Sequence, residues 1–170
     1  MTSPLLVRAP RPSDGAAMWA LVREVGTLDE NSAYLYVLFA DRFRDTCAVA
    51  EGEGRMLALL TGFRPPRDPS TYFVWQIGVH PDGRGGGLAS RLIDDVLARH
   101  PDVRFVEATV SPSNTASRAL FAGLARRRGA PLETLSGYGA ALFPPPHERE
   151  PLLRIGPFAP PSHSPPRSSS

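Results

Sequence analysis

At 170 residues, with 42% hydrophobic and 21% charged side chains, the chain can build one sizeable core and is unlike a disordered polypeptide. No apolar run approaches the roughly 20 residues of a membrane span, and the net charge of +2, carried by scattered arginines with no lysine, argues against nucleic acid as a partner. The single cysteine, Cys47, excludes an internal disulfide and a cysteine-rich zinc site, and a start (Met1-Thr2-Ser3-Pro4) without a basic or long apolar segment predicts a cytoplasmic protein.

In chain order, Leu5 to Arg8 reads as a short strand. Ser13 is placed to cap a helix through Val25 with Ala16, Trp19, Ala20 and Val22 on its apolar face. A second helix follows Ser32, from Tyr34 to Phe43. Thr46–Glu51 and Met56–Phe63 form a hairpin through Gly52-Glu53-Gly54. Tyr72–Val79 is the strongest strand, built almost wholly of β-formers. Gly86–Arg99 has a helical apolar stripe, Arg104–Val110 is a strand, and Asn114–Arg127 is a helix stopped by Gly129 and Pro131. Leu132–Leu142 and Leu152–Ile155 complete the pattern. This alternation predicts an α/β fold with a mixed central β-sheet flanked by helices, as a single domain over residues 4–156. Ten of the fourteen residues from Pro157 to Ser170 are proline or serine, so that segment is expected to be a disordered tail.

The segment Ile77-Gly78-Val79-His80-Pro81-Asp82-Gly83-Arg84-Gly85-Gly86-Gly87-Leu88-Ala89 carries a strand through a glycine-rich turn into an amphipathic helix. Glycines let main-chain N–H groups approach a ligand, and the first N–H groups of a helix are unpaired and partially positive, which together suit a diphosphate. A Walker loop is excluded because its lysine does not exist here, and the dinucleotide fingerprint fits poorly. A plain flexible turn is the alternative.

Arg84-Gly85-Gly86-Gly87-Leu88-Ala89 resembles the acetyl-CoA diphosphate loop of the GNAT N-acetyltransferase family, R-x-x-G-x-A. Some thirty residues on, Ser113-Asn114-Thr115-Ala116-Ser117-Arg118-Ala119-Leu120-Phe121 resembles that family's second CoA motif. The likeness covers residues 5–156. It implies a single GNAT domain that uses acetyl-CoA and no metal. Arg84, Gly85, Gly86, Gly87, Leu88 and Ala89 would hold the diphosphate. Ile77, Val79, Asn114, Ser117 and Phe121 would line the pantetheine path, with the Val79 N–H polarising the thioester carbonyl. Gly78 would sit at a bulge where another backbone approaches. Many members carry a tyrosine, as general acid, where this chain has Phe121. Cys47, Tyr138 or water is left for that task.

Outside these motifs, Leu28-Asp29-Glu30-Asn31-Ser32-Ala33-Tyr34, Gly62-Phe63-Arg64-Pro65-Pro66-Arg67, Phe73-Val74-Trp75-Gln76 and His147-Glu148-Arg149-Glu150 resemble the family's diaminobutyrate-acetylating branch, which supplies ectoine synthesis. That likeness implies L-2,4-diaminobutyrate as acceptor and places Asp29, Tyr34, Trp75, His147 and Glu150 around it. Glu107, Glu148 and Glu150 are the further carboxylates for gripping ammonium or taking a proton, and Arg64 or Arg67 is a candidate for the substrate carboxylate. A homodimer is expected from the likeness and from apolar edge strands. Packing, capping or solvated surface are the alternatives for each of these side chains. Cys47 reads as a buried core residue, and His80 and His100 as structural. Two rival functions stand beside this one: acetylation of another small amine or a protein N-terminus, and a non-catalytic CoA-binding module.

Overall fold

A computed structural model describes residues 5–159. Its strands are β1 (Leu6–Arg8), β2 (Ala48–Gly52), β3 (Arg55–Phe63), β4 (Thr71–Val79), β5 (Phe105–Thr109), β6 (Leu132–Tyr138) and β7 (Glu150–Ile155). Its longer helices are α1 (Gly15–Val25), α2 (Ala33–Arg42), α3 (Leu88–Arg99) and α4 (Thr115–Arg128). The strands form one seven-stranded sheet in the order β1-β2-β3-β4-β5-β7-β6. All neighbours are antiparallel except β4 and β5. This is the mixed α/β sheet the sequence predicts.

The period-2 alternation of the strands divides the core between the two faces of the sheet. Ala48, Ala50, Ala58 and Leu60 join Leu92, Ile93 and Val96 of α3 and Leu124 of α4. Val49 and Leu59 point the other way, onto Met18, Leu21 and Val22 of α1 and Tyr36 and Ala40 of α2. Fully burying each valine, leucine, isoleucine or methionine among these is worth about 1.5–3 kcal/mol, and each alanine methyl less.

Several boundaries differ from expectation. The buried face of α1 is Met18, Leu21, Val22 and Val25, a stripe that alternates three- and four-residue steps, whereas Ala16 and Ala20 are exposed. Ser13 does not cap α1. Pro12–Asp14 forms a 3-10 turn, and the Asp14 carboxylate is held by Arg8 at 2.7 and 3.0 Å. Helix α3 begins at Leu88, because Gly85 and Gly87 have φ of +83° and +68°, outside the helical region. The domain also extends past residue 156. Phe158 is 9% exposed in the main core, and its main chain is bonded to Arg104 at both N–H and C=O. The expected tail boundary at Pro157 therefore shifts beyond Phe158, and residues 160–170 lie outside the described residues.

Candidate functional site

Strands β4 and β5 pair only through Thr71–Phe73 and Phe105–Glu107. Beyond that point they part, and β5 continues against β7. On its other side β4 stays paired with β3. The His80 N–H donates to the Leu57 carbonyl at 2.8 Å, which sets the alternation of the antiparallel ladder. His80, Gly78 and Gln76 bond to β3, so Ile77 and Val79 turn their main-chain groups away from β3, into the gap. Among the described residues, the main-chain N–H and C=O groups at the two positions the sequence singled out thus have no partner strand in that gap.

A β-bulge governs which side chains face the gap. Val74 pairs with Gly62 and Gln76 with Thr61, leaving Trp75 as the extra residue. Before the bulge Tyr72 and Val74 face the α3 and α4 core; after it Ile77 and Val79 do. Phe73, Trp75 and Gln76 thus all border the opposite side. The bulge expected at Gly78 is therefore three residues earlier. Gly78 instead packs under Leu28: a Cβ there would come within 2.8 Å of Leu28 Cδ1, so that side chain would have to shift.

From the end of β4 the chain makes a 3-10 turn at Pro81–Gly83 and runs through Arg84 to the first residue of α3. A Cβ on Gly85 or Gly87 would meet nothing within 4 Å. Their positive φ, not crowding, calls for glycine, and it leaves open space beside the main chain at the N-terminus of α3. Arg84 is exposed; its main-chain N–H donates to the Pro81 carbonyl at 3.2 Å, and its side chain forms no hydrogen bond or ion pair among the described residues. Leu88 is buried beneath the turn and Ala89 is half-buried. Asn114 caps α4, its side-chain oxygen accepting from the Ser117 N–H at 3.0 Å, and borders the cavity. Phe121, expected along the pantetheine path, is instead a core residue at 2% exposure.

The gap opens into a cavity of about 1260 Å³. Asp29 and Trp75 line one side, and Glu107, His147, Glu148 and Glu150 the other. Trp75 stacks on Phe39, ring centroids 5.2 Å apart, which fixes it as a wall. His147 lies flat against Phe143 at 4.0 Å, and its Nδ1 meets the Glu148 carbonyl at 2.6 Å. A carbonyl can only accept, so Nδ1 carries the proton, and in the neutral ring Nε2 is left as acceptor.

The three glutamates behave differently. Burial pushes the Glu150 carboxyl up from the ordinary 4.5; the His147 charge opposes this and the Asp29 charge adds to it. Glu148 accepts from the Ser113 Oγ at 2.8 Å and the Ser113 N–H at 3.2 Å, which pulls its carboxyl below the ordinary range. It ties the segment before β7 to the loop that leads into α4. Glu107 is ion-paired with Arg154 of β7.

Tyr34 does not reach the cavity; it is 74% exposed on the outer face of α2. Arg64 is engaged by Asp102 and the Pro69 carbonyl, and neither it nor Arg67 lines the cavity. Sequence reasoning missed Gln76, Phe39 and Phe143, which border the cavity. Gln76, a polar residue inside a run of β-formers, was the one available signal. Cys47 is fully buried with its thiol pushed up to about 12 by burial, as a core residue would be.

The acetyltransferase (GNAT) family model matches residues 16–124, spanning the open strand, the glycine turn and most of α4. The chain belongs to the acetyltransferase (GNAT) family. Among its relatives in that family, the L-2,4-diaminobutyric acid acetyltransferase of Halalkalibacterium halodurans is 44% identical, over 92% of this chain and 84% of its own. The enzyme of the same name from Halomonas elongata is 43% identical, over 92% of this chain and 83% of its own. A solved structure of the diaminobutyrate acetyltransferase EctA from Paenibacillus lautus, in complex with its substrate L-2,4-diaminobutyric acid and coenzyme A, superposes with a TM-score of 0.88. It is 45% identical and covers 92% of this chain and 97% of that one.

Proposed function

We propose that this acetyltransferase moves the acetyl group of acetyl-CoA to the 4-amino group of L-2,4-diaminobutyrate, giving N4-acetyl-L-2,4-diaminobutanoate, the step that serves ectoine synthesis. The observation that carries the reading is the convergence of Asp29, Glu150 and Trp75 in one cavity that opens onto the unpaired edge of β4. The names and identities of the relatives agree with it.

The diphosphate of acetyl-CoA sits against the Arg84–Ala89 turn and the N-terminus of α3, and its pantetheine arm adds to the open edge of β4 as a further strand would. The Val79 N–H then faces the thioester carbonyl and stabilises the charge that develops there. Asp29 and Glu150 hold the ammonium groups of the diamine, with Trp75 setting the reach. The 4-amine is the more basic of the two, hence the more fully protonated at neutral pH, so selectivity for it comes from positioning. The raised carboxyl of Glu150 suits it to take the proton as that amine becomes a nucleophile. Transfer is direct, because Cys47 is buried beyond reach of the cavity. Tyr138, which borders the cavity opposite Glu150, is the candidate acid for the departing thiolate.

A homodimer and a cytoplasmic location belong to the same reading. The exposed apolar residues Leu132, Leu135 and Tyr138 of the edge strand β6 support the first. No helix among the described residues is long and apolar enough to cross a membrane.

The test is release of free thiol from acetyl-CoA with a panel of amines, followed by product analysis by NMR. Diaminobutyrate should be preferred and acetylated at the 4-amine. Ornithine, one methylene longer, should be used at least about tenfold less well. Predominant 2-acetylation, equal use of ornithine, or no turnover of diaminobutyrate would overturn the reading.

A further inference from the structure

We infer that Gln76 is a positioning residue for this reaction, acting through the main chain of Asp29; the inference rests on the role given to Asp29 above. The Asp29 carboxylate forms no hydrogen bond or ion pair of its own among the described residues, so its place at the cavity depends on how its backbone is held. The main hold is internal. Gln76 Nε2 donates to the Asp29 carbonyl at 2.8 Å, and Gln76 Oε1 accepts from the Tyr36 hydroxyl at 2.9 Å. Tyr36 is fully buried and Gln76 is 6% exposed.

The polarity of this chain of bonds is forced. A carbonyl only accepts, so the Gln76 group that meets Asp29 is its NH2. Its oxygen then faces Tyr36, whose hydroxyl must donate. No flipped arrangement satisfies both ends, and an unpaired amide at this depth is costly. The bulge at Trp75 is what aims Gln76 toward the loop instead of the opposite core. Asn31 Nδ2 also reaches the Asp29 carbonyl, at 3.1 Å, but from an exposed position where water competes. One strand segment thus presents the aromatic wall, Trp75, and the tether of the carboxylate beside it, Gln76. The distance between wall and anion is set by two adjacent residues of β4.

Turnover of diaminobutyrate by the wild-type chain is measured first, since its absence defeats the proposed function before any variant is read. Gln76→Met keeps the length and removes both bonds. It should raise the KM for diaminobutyrate about tenfold while the KM for acetyl-CoA stays within about twofold. In an Asp29→Ala background the same substitution should add nothing, because both act through one anion. A general packing role would instead move both KM values and add to the Asp29→Ala effect. Either of those results, or an unchanged KM for diaminobutyrate, overturns the inference. Should Gln76→Met not fold, Tyr36→Phe carries the test: it deletes one oxygen and frees the amide to turn, and the same selective rise, about threefold, is expected. No rise there overturns the inference equally.

Discussion

Glu107 and Arg154 form an ion pair across neighbouring strands β5 and β7, with Arg154 laid over the Phe105 ring at 3.8 Å from its centroid. Glu107 borders the cavity, as a base would, yet its carboxylate is already engaged and must break that pair to accept a proton. Glu150, two strand positions from Leu152 on the same cavity-facing side of β7, is in no ion pair among the described residues. Glu107→Gln should leave kcat within about threefold, whereas Glu150→Gln should lower it about a hundredfold. Steady-state kinetics at saturating acetyl-CoA checks this, and a larger effect at Glu107 would reverse the assignment.

The raised carboxyl of Glu150 has a second consequence, for stability. Below the ordinary 4.5 the residue is protonated whether the chain is folded or unfolded, and contributes nothing either way. As the pH rises, the unfolded chain releases this proton first, and the folded chain must then ionise a partly buried group. Glu150 therefore lowers stability progressively as the pH climbs through its raised folded value. Melting temperatures of wild type and Glu150→Gln should coincide near pH 4, and the variant should melt higher at pH 8. A difference independent of pH would contradict the burial of this carboxyl.

The glycine turn is tested by side chains the fold itself has room for. The Cβ of a valine at Gly85 or Gly87 meets nothing within 4 Å, but valine opposes the positive φ and fills the space beside the free N–H groups. The KM for acetyl-CoA should rise at least about tenfold with the KM for diaminobutyrate little changed. Gly85→Asn separates the two causes, because asparagine tolerates this backbone region while still filling the space. A folded valine variant with unchanged KM for acetyl-CoA would remove the turn from the diphosphate site.

Phe158 closes the main core from the far end of the chain, held by Arg104 on both main-chain groups. Phe158→Ala should cost about 3 kcal/mol by chemical denaturation, with KM values unaltered. A loss below about 1 kcal/mol would show that the core closes without it.

The strand and helix order, the hairpin at Gly52-Glu53-Gly54 and the glycine turn before α3 could be read from the chain alone, because they depend on local signals: glycine placement, β-branched and aromatic runs, and helical stripes. Asp29, Trp75, His147 and Glu150 could be named from sequence because their neighbours in the chain carry the likeness. What they do with one another could not. Whether Glu107 is free or paired depends on Arg154, forty-seven positions away and adjacent only in the sheet. Whether Tyr34 or Gln76 faces the cavity depends on helix rotation and on the bulge at Trp75, and a run such as Tyr72-Phe73-Val74-Trp75-Gln76-Ile77 gives no local sign of where the alternation slips. Phe158, in a proline- and serine-rich stretch, reads as tail until Arg104 supplies partners for its backbone. Local composition decides which elements form. Pairing across the sheet decides which face each side chain takes and which charges remain free for chemistry, because those depend on partners that lie far apart in the chain.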